Sequence, residues 1–600
     1  MTAHDDSKVL DPKSTLGRSH WPLLASLLWG VVLSFLVCRT FFLLRHGQFF
    51  ENHDSDGYGL RLIEFRDALW NGVLFPQWCV HFRGGLGAPF FNYYQPGFFY
   101  VASLAPSSLP VAQQIGCAVL FFSIVGYCGM LSLLHQRFSV AVGTLAGTFL
   151  LTAPYIHTEL YIRGDFSEYA AMMLVPAVLA AILRFCEEPS RWAAIASTVF
   201  AAMVVMTHPA IGMVLFGMLA FLFLVATSSQ TTWSWARRGF TLLAIATGLS
   251  AAYWLHVFLE SRYSSVERMW DGKIFDGYYQ YSRHFLSLSW MFDRSVTQTP
   301  IPVKLGLWHT LIAAIGLVGV TVHWKQWSVA QRRVAVLCLF FLIANLFLMT
   351  PQSAWIWKAL PLLRRIQFPW RLLSFVSLAM AGLAGMSLHG ITPYARRCLR
   401  FALLAGFLLW PALTRSPPKV TRINEPRSAA EIADQFFAPD LADEWLPRDA
   451  KSLRIDPQTP RVISNPPVEV SDYQIQQTGL ECRLKAREKS SVILPHYYFP
   501  VGFSASLNGE SIPLMRNSSG LMKVEVPAGY SGNLRVEWHT TQSKQLGAMI
   551  SFMAAAIGIG VLIFCDRSLH DQADLLNRGV ARFPEGTRHR LSGSFLVDRT

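Results

Sequence analysis

The chain has 600 residues, of which 52% are hydrophobic and only 15% charged, where soluble domains carry roughly a quarter. That composition excludes a soluble globular protein and points to a polytopic membrane protein. The formal net charge of +14 would suggest nucleic acid in a soluble domain, but many Lys and Arg here sit in short connectors between apolar runs, where they act as orientation signals facing anionic lipid; a membrane, and no nucleic acid, is the expected partner.

A spanning helix needs roughly 20 apolar residues, and the chain offers about twelve such stretches: 23–44, 111–134, 140–156, 169–185, 192–207, 211–227, 239–258, 305–322, 334–350, 372–389, 400–413 and 546–565. The first run lacks a small-residue cleavage site and is expected to remain as a helix. With Lys8, Lys13 and Arg18 in the cytoplasm, alternate connectors carry Arg137, then Arg191, then Arg237 and Arg238, then Lys325, Arg332 and Arg333, then Arg396, Arg397 and Arg400. This distribution follows the positive-inside rule and leaves both termini cytoplasmic. The long polar connectors then collect on the outer face.

The first of these, from Glu51 to Tyr100, mixes acids (Asp54, Asp56, Glu64, Asp67), cations (Arg61, Arg66, Arg83) and many aromatics. It is too polar to span and too aromatic for a linker, so it reads as a folded loop on the bilayer surface. The others are HTELYIRGDFSE ending at Glu168, a segment from Leu259 to Lys304, QSAWIWKALPLLRRIQFPWR, and the region from Thr414 to Gln545. That last region turns to Pro-rich connectors and short alternating runs, with Asn508-Gly509 and Pro527-Ala528-Gly529 as turn chemistry, and reads as a small antiparallel β domain. The expected organisation is a transmembrane domain over 1–413 with a large first outer loop over 46–110, an extracytoplasmic β-rich domain over 414–545, a last transmembrane helix over 546–565, and a polar, loosely ordered cytoplasmic tail over 566–600. The nine cysteines show no metal spacing. Only Cys79 and Cys482 fall in the two large outer regions, where a disulfide could join them.

Ionisable groups at a bilayer interface are costly unless they pair or work. In HDSDG, Asp54 and Asp56 could serve as general base toward an acceptor hydroxyl or hold a divalent cation, or Asp54 could be a turn acid capping a helix. In YIRGDFSEY, Arg163 could clamp a phosphate through its planar fork while Asp165 or Glu168 adds a second acid; the alternative is an Arg–Glu pair closing the loop. In RRIQFPWR, Arg364, Arg365 and Arg371 suit an anionic headgroup or serve as snorkelling anchors. The aromatic runs FFNYYQPGFFY and WDGKIFDGYYQYSRHF are belt residues or sugar-stacking faces. His208 in THP is a structural histidine or a ligand. No P-loop, GxSxG elbow or zinc constellation is present.

The run from HDSDGYG to YYQPGFFY, followed by YIRGDFSEY, THP, QFPWR and the terminal YYFPVGFSASLNG stretch, resembles a family of bacterial integral membrane proteins labelled by a 6-pyruvoyl-tetrahydropterin synthase-related domain and similar to GT-C type membrane glycosyltransferases. The chain lacks a His-rich set for pterin chemistry, so the pterin in that label is not carried over. The resemblance implies a GT-C-like polytopic α-helical membrane protein whose substrate is a polyprenyl-phosphate sugar donor and whose acceptor is a saccharide, protein or lipid at the outer face of the bacterial cytoplasmic membrane. It implies an inverting glycosyltransferase whose first-loop acid deprotonates the acceptor or orients a metal. The family's loop motif commonly places His four residues after the Asp; here Asp54 takes the acid's place and Tyr58 stands at the His position. The resulting expectation is Asp54, Asp56 and Glu168 as catalytic acids; Arg163, Asp165, Arg371, Gln367, Tyr58, Arg61 and His208 around the substrate; and Mg or Mn, if any, between Asp54 and Glu168. A lipid-linked saccharide flippase and a non-catalytic assembly scaffold are the alternatives.

Overall fold

The computed structural model describes residues 20–227, 230–266, 304–389, 419–422, 425–426, 428, 431–432, 445–451 and 462–581, with the side chains of 55–56, 230–231 and 562–581 excepted. The expected helix over 400–413, the basic N-terminus, most of the segment from Leu259 to Lys304 with its second aromatic run, and the region's first Pro-rich connector lie outside the described residues.

The apolar runs fold as α1 (Trp21–Cys38), α3 (Val111–His135), α4 (Val140–Leu151), α5 (Phe166–Glu187), α6 (Arg191–Thr207), α7 (Pro209–Ala226), α8 (Gln230–Leu249), α9 (Ala251–Glu260), α10 (Leu307–His323), α11 (Val329–Leu348), α12 (Leu373–Met386) and α13 (Gln542–Ala581), with α2 (Ser55–Trp70) in the first loop. Among the described residues nine helices are long and apolar enough to cross a membrane, or ten if α8 and α9, bent by 65°, form one span. Fewer pass than the twelve stretches expected: α6, with 17 residues, is among the shorter apolar helices, and 400–413 is not described. Polar caps set the starts. The Ser139 side chain accepts from Val142 N, that of Ser190 from Ala193 N, and Ser328 forms a reciprocal capping box with Gln331, each satisfying a donor the first turn leaves open.

Two expectations are corrected. HTELYIRGDFSE is not an exposed loop: helical residues Pro154–Thr158, a π turn Glu159–Arg163 and the start of α5 are all buried in the bundle. Its charges find partners among themselves, so burial is compatible with ionisation. The tail is also not loose from Asp566, because α13 runs on to Ala581. Residues 567–581 hold no Pro, and the preceding turns supply the nucleus that helix extension needs.

The C-terminal region forms two antiparallel sheets, one of four strands in the order β3 (Ile463–Asn465), β6 (Ser490–Tyr497), β10 (Leu521–Val526), β9 (Met515–Arg516), and one of five in the order β4 (Glu469–Gln476), β5 (Gly479–Lys485), β11 (Ser531–Trp538), β7 (Phe503–Leu507), β8 (Glu510–Ile512). Alternate residues of β5, β10 and β11 (Leu480, Cys482, Leu484, Val524, Val526, Leu534, Val536) enclose a separate apolar core, as period-two patterning requires. Asn508 at φ 48° and Gly509 at φ 88° make the β7–β8 turn, and Gly529 at φ 73° lies between β10 and β11. Cys79 and Cys482 are free thiols in different cores, so no disulfide joins them.

This β cap sits on the first loop. β1 (Gln48–Phe50) pairs with β2 (Val420–Arg422), Tyr497 N donates to Leu86 O at 2.8 Å, and the Trp78 ring stacks on Trp538 at 5.5 Å. First loop and cap therefore share one face of the bundle.

Candidate active site

Four segments remote in sequence meet beneath the first loop. The π turn carries Glu159 and Arg163; Gly164 ends it at φ 71°, and Asp165 caps α5 by accepting from Glu168 N at 3.1 Å. A π turn inserts an extra residue and often marks a functional site. Here it brings Glu159 and Arg163 to the same point as Asp165 and Glu168. Gly164 is required twice over, by its φ and because a Cβ there would come 2.5 Å from Asn52 Oδ1. Asn52 Oδ1 also accepts from Asp54 N at 3.3 Å, and His53 N donates to Ile162 O at 3.3 Å. The close approach at Gly164 thus seats Asp54 beside the buried charges.

Arg163 Nη1 donates to Glu159 at 2.7 and 2.8 Å and to Glu168 Oε2 at 2.7 Å, while Nη2 reaches Asp165 Oδ2 at 3.2 Å. Arg371, presented by the short helix Pro369–Leu372, donates Nε to Glu168 Oε2 at 2.8 Å and Nη1 to Ile366 O and Gln367 Oε1 at 2.8 and 3.0 Å; its Nη2 lies 3.7 Å from Asp165 Oδ2. Gln367 holds its place with φ at 66°, a conformation that costs a non-glycine residue of order 1–3 kcal/mol. Tyr58 OH donates to Asp165 Oδ1 at 2.8 Å, Tyr94 OH to Tyr58 OH at 2.8 Å, and Tyr155 OH to Glu168 Oε1 at 2.8 Å. Arg163, Asp165, Glu168, His208 and Arg371 are all buried. Burial opposes ionisation of Asp165, yet Arg163, His208 and Arg371 hold its carboxyl below the usual range. His208 caps α7 by accepting from Ile211 N at 3.3 Å through Nδ1; burial, reinforced by Arg371, pushes it down to about 4.

Asp54 and Arg61 stand apart from this lattice. Asp54 precedes α2, is half-buried, and makes no capping bond through its side chain. Its carboxyl is pushed above the ordinary value by burial and by the charge of Asp165, against the pull of Arg61, Arg163 and His53. Arg61, 6% exposed, is boxed by the rings of Tyr58, Phe90 and Tyr94 at 5.4, 4.9 and 5.1 Å. It makes no ion pair with a described residue, and its Nε has no hydrogen-bond partner. The Asp56 side chain lies outside the described residues.

The geometry thus assembles Asp54, Tyr58, Arg61, Arg163, Asp165, Glu168, His208, Gln367 and Arg371 from the sequence reading. Arg163 meets Glu168, the Arg–Glu pair that the sequence offered as the alternative to a phosphate clamp, and Arg371 meets the same carboxylate. Of the expected metal pair, Asp54 and Glu168, one belongs to a group of three possible ligands. Among the described residues the group with metal-compatible spacing is Asp165, Glu168 and His208, and Asp54 is outside it. The sequence reading missed Glu159, Tyr94 and Tyr155. The four-residue spacing of Glu159 and Arg163 was the available signal, whereas Tyr94 was hidden among aromatics read as a belt and Tyr155 at the end of an apolar run. It missed too the buried pair of Glu64 with His81 Nδ1, 2.9 Å apart beside the β cap. Burial lowers the His81 pKa, but the Glu64 hydrogen bond and charge outweigh it and leave the net value raised.

Residues 91–416 match the model of a family described as a 6-pyruvoyl-tetrahydropterin synthase related domain, membrane protein. That is more than half of the chain, and the chain belongs to this family. No curated protein matches it. Among solved structures it is similar to the arabinofuranosyltransferase AftD from Mycobacteria (mutant R1389S, class 2; TM-score 0.41, 16% identity, 66% of this chain and 28% of that one). It is also similar to the apo oligosaccharyltransferase of Archaeoglobus fulgidus (0.42, 11%, 68% and 57%). ArnT from Cupriavidus metallidurans bound to undecaprenyl phosphate gives 0.36, 14%, 69% and 70%. The chain spans under a third of the length of AftD. Likenesses at these scores are distant and say nothing of activity.

Proposed function

We propose that this chain is an inverting membrane glycosyltransferase that moves a sugar from a polyprenyl-phosphate donor to a saccharide, protein or lipid acceptor at the outer face of the bacterial cytoplasmic membrane, with both termini in the cytoplasm. The observation that carries this reading is the pairing of roles at the rim of the lattice: a half-buried carboxyl held above its ordinary pKa, Asp54, and a buried guanidinium with no ion-pair partner among the described residues, Arg61. A base with a raised pKa and a desolvated cation near it are what transfer from a phosphate leaving group requires.

In this mechanism the Asp54 carboxylate takes the proton of the acceptor hydroxyl. The oxygen attacks the anomeric carbon, and the bond from that carbon to the lipid phosphate breaks on the opposite side, inverting the centre. Arg61 neutralises the phosphate as its charge grows. Arg163, Arg371, Asp165 and Glu168 are assigned to holding the walls, because their polar atoms are already engaged with one another. Tyr58 steadies Asp165, whose negative charge in turn raises the basicity of Asp54.

The test is transfer of label from a synthetic polyprenyl-phosphate sugar by the purified full-length chain in lipid, with wild type compared with Arg61→Met. The reading expects a labelled acceptor product with wild type and a large loss with the variant. Passage of the intact lipid-linked saccharide across the bilayer, with its phosphate bond uncleaved, would replace the transferase with a transporter.

A further inference from the structure

The group Asp165, Glu168 and His208 has donor atoms within 4.8 Å of one another, which is the spacing a divalent ion wants, yet each atom is already committed. Glu168 Oε2 accepts from both Arg163 Nη1 and Arg371 Nε, and Oε1 from Tyr155. Asp165 Oδ1 accepts from Tyr58 and from Glu168 N, while Oδ2 faces Arg163 and Arg371. A cation entering here would displace charge-assisted bonds and stand beside two fixed positive groups.

His208 gives a second, independent reason. A metal-ligating histidine donates its other ring N–H to a neighbour. Here Nδ1 accepts from Ile211 N, so the neutral ring carries its proton on Nε2, the nitrogen that faces Glu168 at 3.9 Å. The lone pair a metal needs at Nε2 is absent unless the cap of α7 is given up. These residues do not fit a resident divalent ion.

We infer that Arg371 is the built-in cation of this cluster, a positioning residue that fills with its guanidinium the place a divalent ion would take between Asp165 and Glu168. Arg371 is delivered from a segment about two hundred residues away, and the strained Gln367 receives its Nη1, so this group ties the FPWR segment to α5. Removing Arg371 leaves Glu159, Asp165 and Glu168 to Arg163 alone, so the cluster falls one positive charge further short and opens the place of that guanidinium to a cation. The inference goes beyond glycosyl transfer: a chain without transferase activity would leave it standing.

The experiment uses the full-length chain in detergent with Mn2+ as the probe, read by electron paramagnetic resonance. Wild type and Arg371→Lys are expected to leave Mn2+ free at sub-millimolar concentration. Arg371→Met is expected to take up one equivalent, and the added change Glu168→Gln to abolish that uptake. Size-exclusion profiles establish which variants fold. Should Arg371→Met fail to fold, wild type decides alone: uptake of Mn2+ that Asp165→Asn or Glu168→Gln removes would overturn the inference, and no such uptake upholds it. A folded Arg371→Met that binds no Mn2+ would equally overturn it.

Discussion

The lattice inside the bundle and the ion pairs on the β cap use the same residue types at similar distances with opposite consequences. Arg163 meets Glu168 at 2.7 Å with side chains 6% and 0% exposed; Lys485 meets Glu469 at 3.3 Å with 59% and 63% exposed. Water screens the second pair to a contribution of about 0–1 kcal/mol. In the first, burial makes each charge dependent on its partner, so removing one leaves an uncompensated charge at a cost of roughly 3–5 kcal/mol. The lesson is that distance alone does not rank ion pairs. The cap rests on its apolar core and its ion pairs add little, whereas the region under the first loop packs charges that each need a partner into an apolar and aromatic core.

The largest effect should come from Glu168→Ala, which leaves Arg163 and Arg371 without their shared acceptor. A loss of roughly 3–5 kcal/mol is expected, read as a fall in the thermal midpoint of the detergent-solubilised chain; an unchanged midpoint would erase the distinction between the regions. Next comes Leu484→Ala in the cap, where a fully buried leucine is expected to cost about 2–5 kcal/mol. Its signal should appear in the unfolding of the sheets, with Asp54-dependent chemistry intact. Smaller is Arg163→Lys, which keeps the charge but loses the fork that spans Glu159, Glu168 and Asp165. A loss of about 1.5–3 kcal/mol is expected, and wild-type stability would mean that point charge alone suffices. Smallest is Lys485→Ala, within roughly 1 kcal/mol; a larger effect would break the comparison from the other side.

Acid sharpens the same contrast within the site. Asp165 is lowered in the folded state, so the stability it contributes is complete above the ordinary carboxylate pKa of about 4 and is lost as pH falls through the lowered value. Asp54 is raised and takes up its proton while Asp165 is still ionised. Transfer should therefore decline with acid, at a midpoint above the ordinary aspartate value, before the lattice itself weakens. A pH–rate profile set beside a pH–stability profile would separate the two, and coincident midpoints would count against separate roles.

The helices were legible in the apolar runs, and the β7–β8 turn in Asn508-Gly509, because periodicity and turn chemistry are local. Asp54, Arg163, Glu168 and Arg371 were legible as costly ions at an interface, and the pairing of Arg163 with Glu168 was legible as one alternative; that Glu159 and Arg371 join that pair was not. Glu159 pairs with Arg163 at a spacing any helix would bring together, whereas the approach of Asp165 follows from the end of the π turn at Gly164, which no local pattern announces. Tyr94 looked like one more aromatic of a belt and Tyr58 stood out only at the His position of the family motif; the fold alone carries the Tyr94 hydroxyl to that of Tyr58, and that of Tyr58 to Asp165. Glu64 and His81 lie 17 residues apart, and no spacing rule links such a pair across a folded loop.

The central claim is that Asp54 works while the lattice holds. It is tested most directly by the transfer rate of Asp54→Asn, measured on protein whose thermal midpoint matches wild type. Asn suits the position before α2 as well as Asp does, so the fold should be retained while the rate falls by at least about 100-fold. A variant that transfers sugar at the wild-type rate would contradict the account.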